Sequence, residues 1–179
     1  MEVIRIESNI KEIAVKNEKD EVITVLRINM IDSNTATRFA KLIQNLDRVS
    51  ENYSKEAKIL SDKYDDRPIN KDNFDVNQVI DYSSAYVSYI TKCIEEINAV
   101  FGDNTVQNVY KECYEINPDF VPDEYALMQF VDGVIPVMNG LFNKKFEENK
   151  KRYNVSKRGK HTKTKDELLE EMKNGKRSV

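Results

Sequence analysis

Val22-Ile23-Thr24-Val25-Leu26-Arg27-Ile28, followed by Asn34-Thr35-Ala36-Thr37-Arg38-Phe39-Ala40-Lys41-Leu42-Ile43-Gln44-Asn45-Leu46-Asp47-Arg48-Val49, is where the chain changes period. The first run is rich in β-branched residues, which pack well on a pleated surface. In the second, Phe39, Leu42, Leu46, Val49 and Tyr53 recur at spacings of three and four, the apolar stripe of a helix. Asp32-Ser33-Asn34 between them offers side-chain oxygens to the orphan N–H groups of a helix start. A switch from period two to period 3.6 near Asp32 predicts a small β segment leading into a helical body.

Upstream, Ile10-Lys11-Glu12-Ile13-Ala14-Val15-Lys16 is a second β-branched run, joined to the first by Asn17-Glu18-Lys19-Asp20-Glu21, a connection of hairpin length. Val3 to Glu7 alternates apolar and charged residues and is expected to supply a further strand, giving an antiparallel sheet of two or three. A sheet that small is marginal alone and needs a helix or a partner chain against its apolar face.

Downstream, a helix from Asn34 to about Lys63, roughly 45 Å long at 1.5 Å per residue, presents Lys41, Arg48, Glu51, Lys55 and Lys58 on its solvated side. It reads as one arm of a packed helical hairpin rather than a coiled-coil dimer, since the stripe lasts only about three heptads. Asp65 to Asn73 is a polar linker holding Pro68. A second helix is expected from about Val76 to Phe101, burying Val79, Tyr82 or Tyr86, Ile90, Cys93 or Ile94 and Ile97, with Gly102 as its stop and Phe101 fully buried at the junction. Asp103-Asn104-Thr105 starts a short third helix with Val106, Val109, Tyr110 and Cys113; Asn117-Pro118 ends it. Val121-Pro122-Asp123-Glu124 opens a fourth, with Tyr125, Met128, Phe130, Val131, Val134, Ile135, Met138, Leu141 and Phe142 as its apolar set. Pro136 is expected to kink it or break it in two. The fold class is therefore α+β, mainly α: an N-terminal antiparallel β-hairpin sheet, four or five helices and a basic C-terminal arm.

Charge divides the chain. Residues 1–142 hold 15 Lys/Arg against 25 Asp/Glu, whereas residues 143–165 hold 10 Lys/Arg against Glu147 and Glu148, within a total of −3 over 179 residues. The expected organisation is one domain over 1–142, comprising a β segment (1–31) and a helical body (32–142), with a basic arm over 143–179. The first part of that arm can prolong the fourth helix. Asn154 to Thr164 carries too little apolar surface to order itself, and Asp166 to Lys173 suffices for two helical turns.

The composition narrows the chemistry. With one histidine, two cysteines and no tryptophan, the sets for general acid/base work, thiol nucleophiles and zinc binding are thin. His161 reads as a solvated tail residue, and Cys93 and Cys113 as small apolar groups on helices. No glycine-rich phosphate loop or calcium loop occurs. The expectation is a protein without catalytic, cofactor or metal residues. The start lacks the charge-then-apolar pattern of a signal peptide, and no run of about 18 apolar residues is present; with two isolated thiols this leads to a cytoplasmic expectation with no membrane partner.

Two surfaces remain as candidates. The stripe Phe39, Leu42, Leu46, Val49 and Tyr53, with the apolar side of the sheet, is a candidate protein interface wherever the two do not cover each other, and self-association is one use of it. The basic arm, with Lys150, Lys151, Arg152, Lys157, Arg158 and Lys160, can keep a tail soluble, meet an acidic protein or neutralise phosphates. Nucleic acid is the less favoured of its partners.

The stretch Ile94-Glu95-Glu96-Ile97-Asn98-Ala99-Val100-Phe101-Gly102-Asp103-Asn104-Thr105-Val106-Gln107-Asn108-Val109-Tyr110 resembles a pattern in small proteins of Gram-positive phages. There a helix ends in Phe-Gly, a short capped helix follows, and a proline-started helix comes next. The β segment leading into a long helix is likewise similar to tail assembly chaperones of long-tailed phages and phage-tail-like bacteriocins. The resemblance covers about residues 1–142 and has no counterpart for the arm. It implies a non-enzymatic protein that coats the tape-measure protein and recruits tail-tube subunits. It carries over no individual binding residue.

Overall fold

The structure, a computed structural model, describes residues 4, 9–65, 69 and 74–158, the stretch 152–158 as backbone only. A two-stranded antiparallel sheet is followed by a mainly helical chain, 69% helical, with five helices among the described residues. The α+β architecture thus follows the change of period at Asp32. The expected strand over Val3 to Glu7, most of the 65–73 linker, His161, Lys160 and the two turns over Asp166 to Lys173 lie outside the described residues.

Strand β1 (Ile10–Lys16) pairs with β2 (Val22–Asn29) in a register that sets Lys11 opposite Ile28, Ile13 opposite Leu26 and Val15 opposite Thr24. The hairpin loop is closed by Asn17, whose Oδ1 accepts the backbone N–H groups of Lys19 and Glu21 at 3.0 and 2.9 Å. Asp20 takes the left-handed conformation that the turn requires (φ +65°). Alternation puts Leu26 and Ile28 into the core and leaves Val25, Arg27 and Asn29 outside.

Helix α1 (Thr35–Lys63) starts differently from expectation. Asn34 is the cap position, but its side chain makes no cap bond. Asp32 Oδ1 instead accepts the Asn34 N–H at 2.8 Å, and Asp32 also pairs with Arg38. The Thr35 hydroxyl donates to the carbonyl of Asn29, tying the helix start to the strand end. Helix α2 (Val76–Phe101) is capped as its sequence suggests: Asp75 accepts from the N–H groups of Asn77 and Gln78.

The two long helices pack along each other, and α2 and the short α3 (Thr105–Val109) sit against β2. Ile90, Cys93, Ile97, Leu42 and Val106 form the centre of the core. Gly102 closes α2 at φ +114°, a conformation essentially restricted to glycine. Phe101 is half-buried rather than enclosed, because it sits at the rim where three elements meet. Its ring makes edge contacts with Phe39 and Phe130, at centroid distances of 6.3 and 5.9 Å. The single short helix expected after Gly102 is two, α3 and α4 (Lys111–Ile116), separated at Tyr110. Tyr110 leaves helical geometry (φ −105°, ψ 29°), and its hydroxyl donates to the carbonyl of Ala126.

Helix α5 (Glu124–Arg158) runs through Pro136 as one helix, so of the two expected outcomes, a kink or a break, the break does not occur. Proline removes the bond to the carbonyl four residues earlier. Asp132, Gly133 and Pro136 are all exposed, so the freed carbonyl of Asp132 lies on a side open to solvent. The helix extends to Arg158, into the first residues of the stretch from Asn154 to Thr164, as residues added to a helix already nucleated cost little; Glu147 and Lys150 pair at 3.8 Å before that point. The chain divides into two compact units at Ile135 and Pro136, earlier than the composition shift at Asn143. In the first unit Leu127, Phe130, Val131 and Val134 are core residues; in the second, Val137 and Phe146 are exposed. Within Glu124–Lys151 an 18-residue window reaches a mean hydropathy of 1.2, so the helix is long and apolar enough to cross a membrane by length and composition alone. Scattered polar residues hide this from a search for an uninterrupted apolar run.

Candidate protein interface

The stripe singled out in α1 is core. Phe39, Leu42, Leu46 and Val49 are buried, at 6, 1, 8 and 8% exposure, so they present no open surface while the fold is intact. The helical spacing that identified them marks the side facing α2 equally well as a side facing a partner. Tyr53, the last member, is half-buried and stacks on Tyr89 with centroids 4.7 Å apart and planes 12° from parallel.

Tyr53, Tyr86 and Tyr89 form a cluster where α1 meets α2, with Tyr53–Tyr86 and Tyr86–Tyr89 centroids at 5.9 and 6.2 Å. The Tyr89 hydroxyl donates to Glu124 Oε1 at 2.8 Å, and the Glu124 N–H donates to the Tyr86 hydroxyl at 3.0 Å, so the start of α5 is held by the cluster. Burial and then the Glu124 bond raise the Tyr89 phenol well above its ordinary value. Burial, followed by the neighbouring Tyr86, raises Tyr53. These are structural phenols that stay protonated, and their hydrogen bonds hold elements together.

At the far end of the helical hairpin, Asp81 accepts from Lys63 Nζ at 2.6 Å and from the Tyr64 hydroxyl at 2.7 Å. Lys63 also lies 4.9 Å from the Tyr64 ring centroid. The hydrogen bond from Lys63, then that from Tyr64, holds the Asp81 carboxyl below its ordinary value, and Asp81 in turn raises Lys63. The clasp therefore stays charged across neutral pH.

The surface that sequence reasoning missed is the outer side of α2. Val76, Ile80 and Val87 are 56, 54 and 43% exposed, and Phe74 just ahead of the helix is 64% exposed. Between Ile80 and Val87 lie the exposed Ser83 and Ser84, which with Val87 and Ser88 line a shallow open depression. Asp81 is the sole charged residue from Val76 to Thr91, and it belongs to the clasp with Lys63 and Tyr64. In a chain with 33% charged residues, a helical stretch of a little over four turns with one charge is unusual on a solvated side. The signal was legible as a second series, 76, 80, 83 or 84, 87, beside the buried one. The short serines at its centre hid it, because they do not read as apolar. Tyr125, expected in the apolar set of α5, is 76% exposed; it follows Glu124, whose backbone Tyr86 holds.

The candidate arm residues divide. Lys150 and Lys151 are exposed on α5; Arg152, Lys157 and Arg158 lie on its final turns, with side chains outside the description, as is all of Lys160. Cys93 is buried, and burial pushes its thiol up to about 11, whereas Cys113 is half-buried. No group of three or more His, Cys, Asp or Glu side chains is placed to hold a metal ion among the described residues. In comparisons with known proteins, the chain matches no family model, no curated protein and no solved structure.

Proposed function

We propose that this protein works by binding other proteins and catalyses nothing, as a cytoplasmic tail assembly chaperone of a long-tailed phage or a phage-tail-like bacteriocin that binds the tape-measure protein and recruits tail-tube subunits. The observation that carries the binding role is the outer side of α2. Exposed apolar residues gathered on one helix face, with small side chains at its centre, suit the docking of a partner helix, which needs close approach and apolar anchors. The phage assignment rests on the resemblance over residues 1–142 described above. The test is co-expression of the full chain with a tape-measure protein, followed by pulldown. Retention of the tape-measure protein supports the reading, and its absence contradicts it.

A second reading, a small nucleic-acid-binding or regulatory protein, draws on the exposure of Lys144, Lys150 and Lys151 along α5. It requires DNA or RNA affinity that falls steeply with salt and disappears when the basic arm is removed.

A further inference from the structure

We propose that the protein forms a two-fold dimer through the open edge of β1, joining two hairpins into one four-stranded antiparallel sheet. This stands on the sheet alone and does not depend on the functional reading above.

β1 is bounded by β2 on one side, and among the described residues no strand pairs with its other side. Which backbone groups face that open side follows from the pairing. The Met30 N–H donates to the Asn9 carbonyl at 3.2 Å, and Ile10 to Val15 follow in unbroken register. Antiparallel partners alternate between bonded and non-bonded pairs, so residues 9, 11, 13 and 15 turn their backbone groups toward β2. The bulge near Val15 puts the extra residue, Ile23, in β2, so the alternation of β1 is undisturbed; the Asn17 N–H donating to the Glu21 carbonyl confirms it. The N–H and C=O groups of Ile10, Glu12, Ala14 and Lys16 therefore face outward.

A second copy of β1 can use those groups only in registers that set outward residues opposite outward residues. Three such registers keep most of the strand paired. Centred on Glu12, the pairing sets two carboxylates face to face. Centred on Ile13, it sets Lys11 against Val15 and Ile10 against Lys16, charge against apolar group. Centred on Ala14, it sets Glu12 opposite the second copy's Lys16 and Lys16 opposite its Glu12. It also sets Ile13 and Val15 opposite each other on the face that carries the buried Leu26 and Ile28. Opposite charges and apolar pairs directly across an antiparallel ladder are favourable, and like charges are not. The strand is thus complementary to itself in one register, in charge on its outer face and in apolarity on its inner face. The contact is isologous and closes. Lysine on an edge strand ordinarily repels a neighbour; here Lys16, which within the chain pairs with Asp20 at 2.8 Å, meets Glu12, which pairs with Arg27 at 3.1 Å, so the two strands bring charges of both signs together on one exposed face.

Sedimentation equilibrium of the full chain over a range of concentrations tests this. The wild type is expected to dimerise. Ala14→Pro removes an outward N–H at an edge position that tolerates proline and is expected to leave the circular dichroism unchanged while weakening dimerisation at least tenfold. Glu12→Lys and Lys16→Glu should each fail to dimerise alone and form a heterodimer when mixed, because the mixture restores opposite charges at all four positions. That mixing experiment carries the test if the proline variant fails to fold. A wild type that is monomeric throughout, a dimer that survives Ala14→Pro, or single-charge variants that dimerise like the wild type would overturn the proposal. So would a chain that dimerises only after residues 1–8 are deleted, since its own N-terminal segment would then be the occupant of the edge.

Discussion

Leu42 and Tyr53 lie on the same stripe of α1, yet the first is 1% exposed and the second is half-buried among tyrosines. Spacing alone cannot separate them, because a helix repeats its faces while its neighbours change along its length. Leu42→Ala is expected to cost about 2–5 kcal/mol, as for other fully buried leucines, read by urea denaturation; a loss below about 1 kcal/mol would place Leu42 outside the core. Gly102 was legible as a helix stop, and the structure adds the reason: φ +114°. The nearest neighbour to an added Cβ is the Thr105 hydroxyl oxygen at 4.0 Å, so space does not limit substitution there. Gly102→Ala should cost about 1–3 kcal/mol through the backbone alone, and an unchanged melting temperature would contradict that conformation. Cys93 gives a pH signature. Burial favours its neutral thiol, so the unfolded chain releases the proton near the ordinary value of 9.0 and the folded chain near about 11. Between those values the folded state binds more protons, so this contribution to stability is complete below about pH 9 and is lost as pH rises through about 11. Alkylation of Cys93 at pH 8.5 should accordingly be slow in the folded protein and fast in denaturant; equal rates would show that the thiol is open.

Among the elements, the hairpin, α1 and α2 were readable because each carries a strong period between clear breakers: the polar loop at 17–21, Asp32 to Asn34, and Gly102. The split at Tyr110 was not, since it depends on a bond to Ala126, sixteen residues away. The continuity of α5 through Pro136 depends on which side of the helix meets solvent, and no local pattern states that. The outer side of α2 was missed because serine interrupts the apolar series. Its exposure makes a prediction at this scale. Ile80→Glu and Val87→Glu, singly or together, should change stability by no more than about 0.5 kcal/mol per site, as surface substitutions do. A large loss in thermal melting would mean that the side is covered within the folded chain. Charged substitutions at Leu42 and Leu46 should do the opposite and unfold the protein, since each would bury an unpaired charge.

For the whole molecule, the strongest apolar stripe of the helical body holds the fold together, and a second, weaker one along α2 is exposed; the proposed function gives that second stripe to a partner. The fold class was legible throughout; an exposed apolar face was legible only as a type, because burial decides which of two apolar faces is free. One comparison tests the claim most directly. The full chain and its Ile80→Glu/Val87→Glu variant are each co-expressed with the tape-measure protein and recovered by pulldown, with circular dichroism confirming that both are folded. The account predicts that the wild type retains the tape-measure protein and the folded variant loses it. Equal retention by both would contradict α2 as the binding surface, and retention by neither would contradict the tail-assembly role itself.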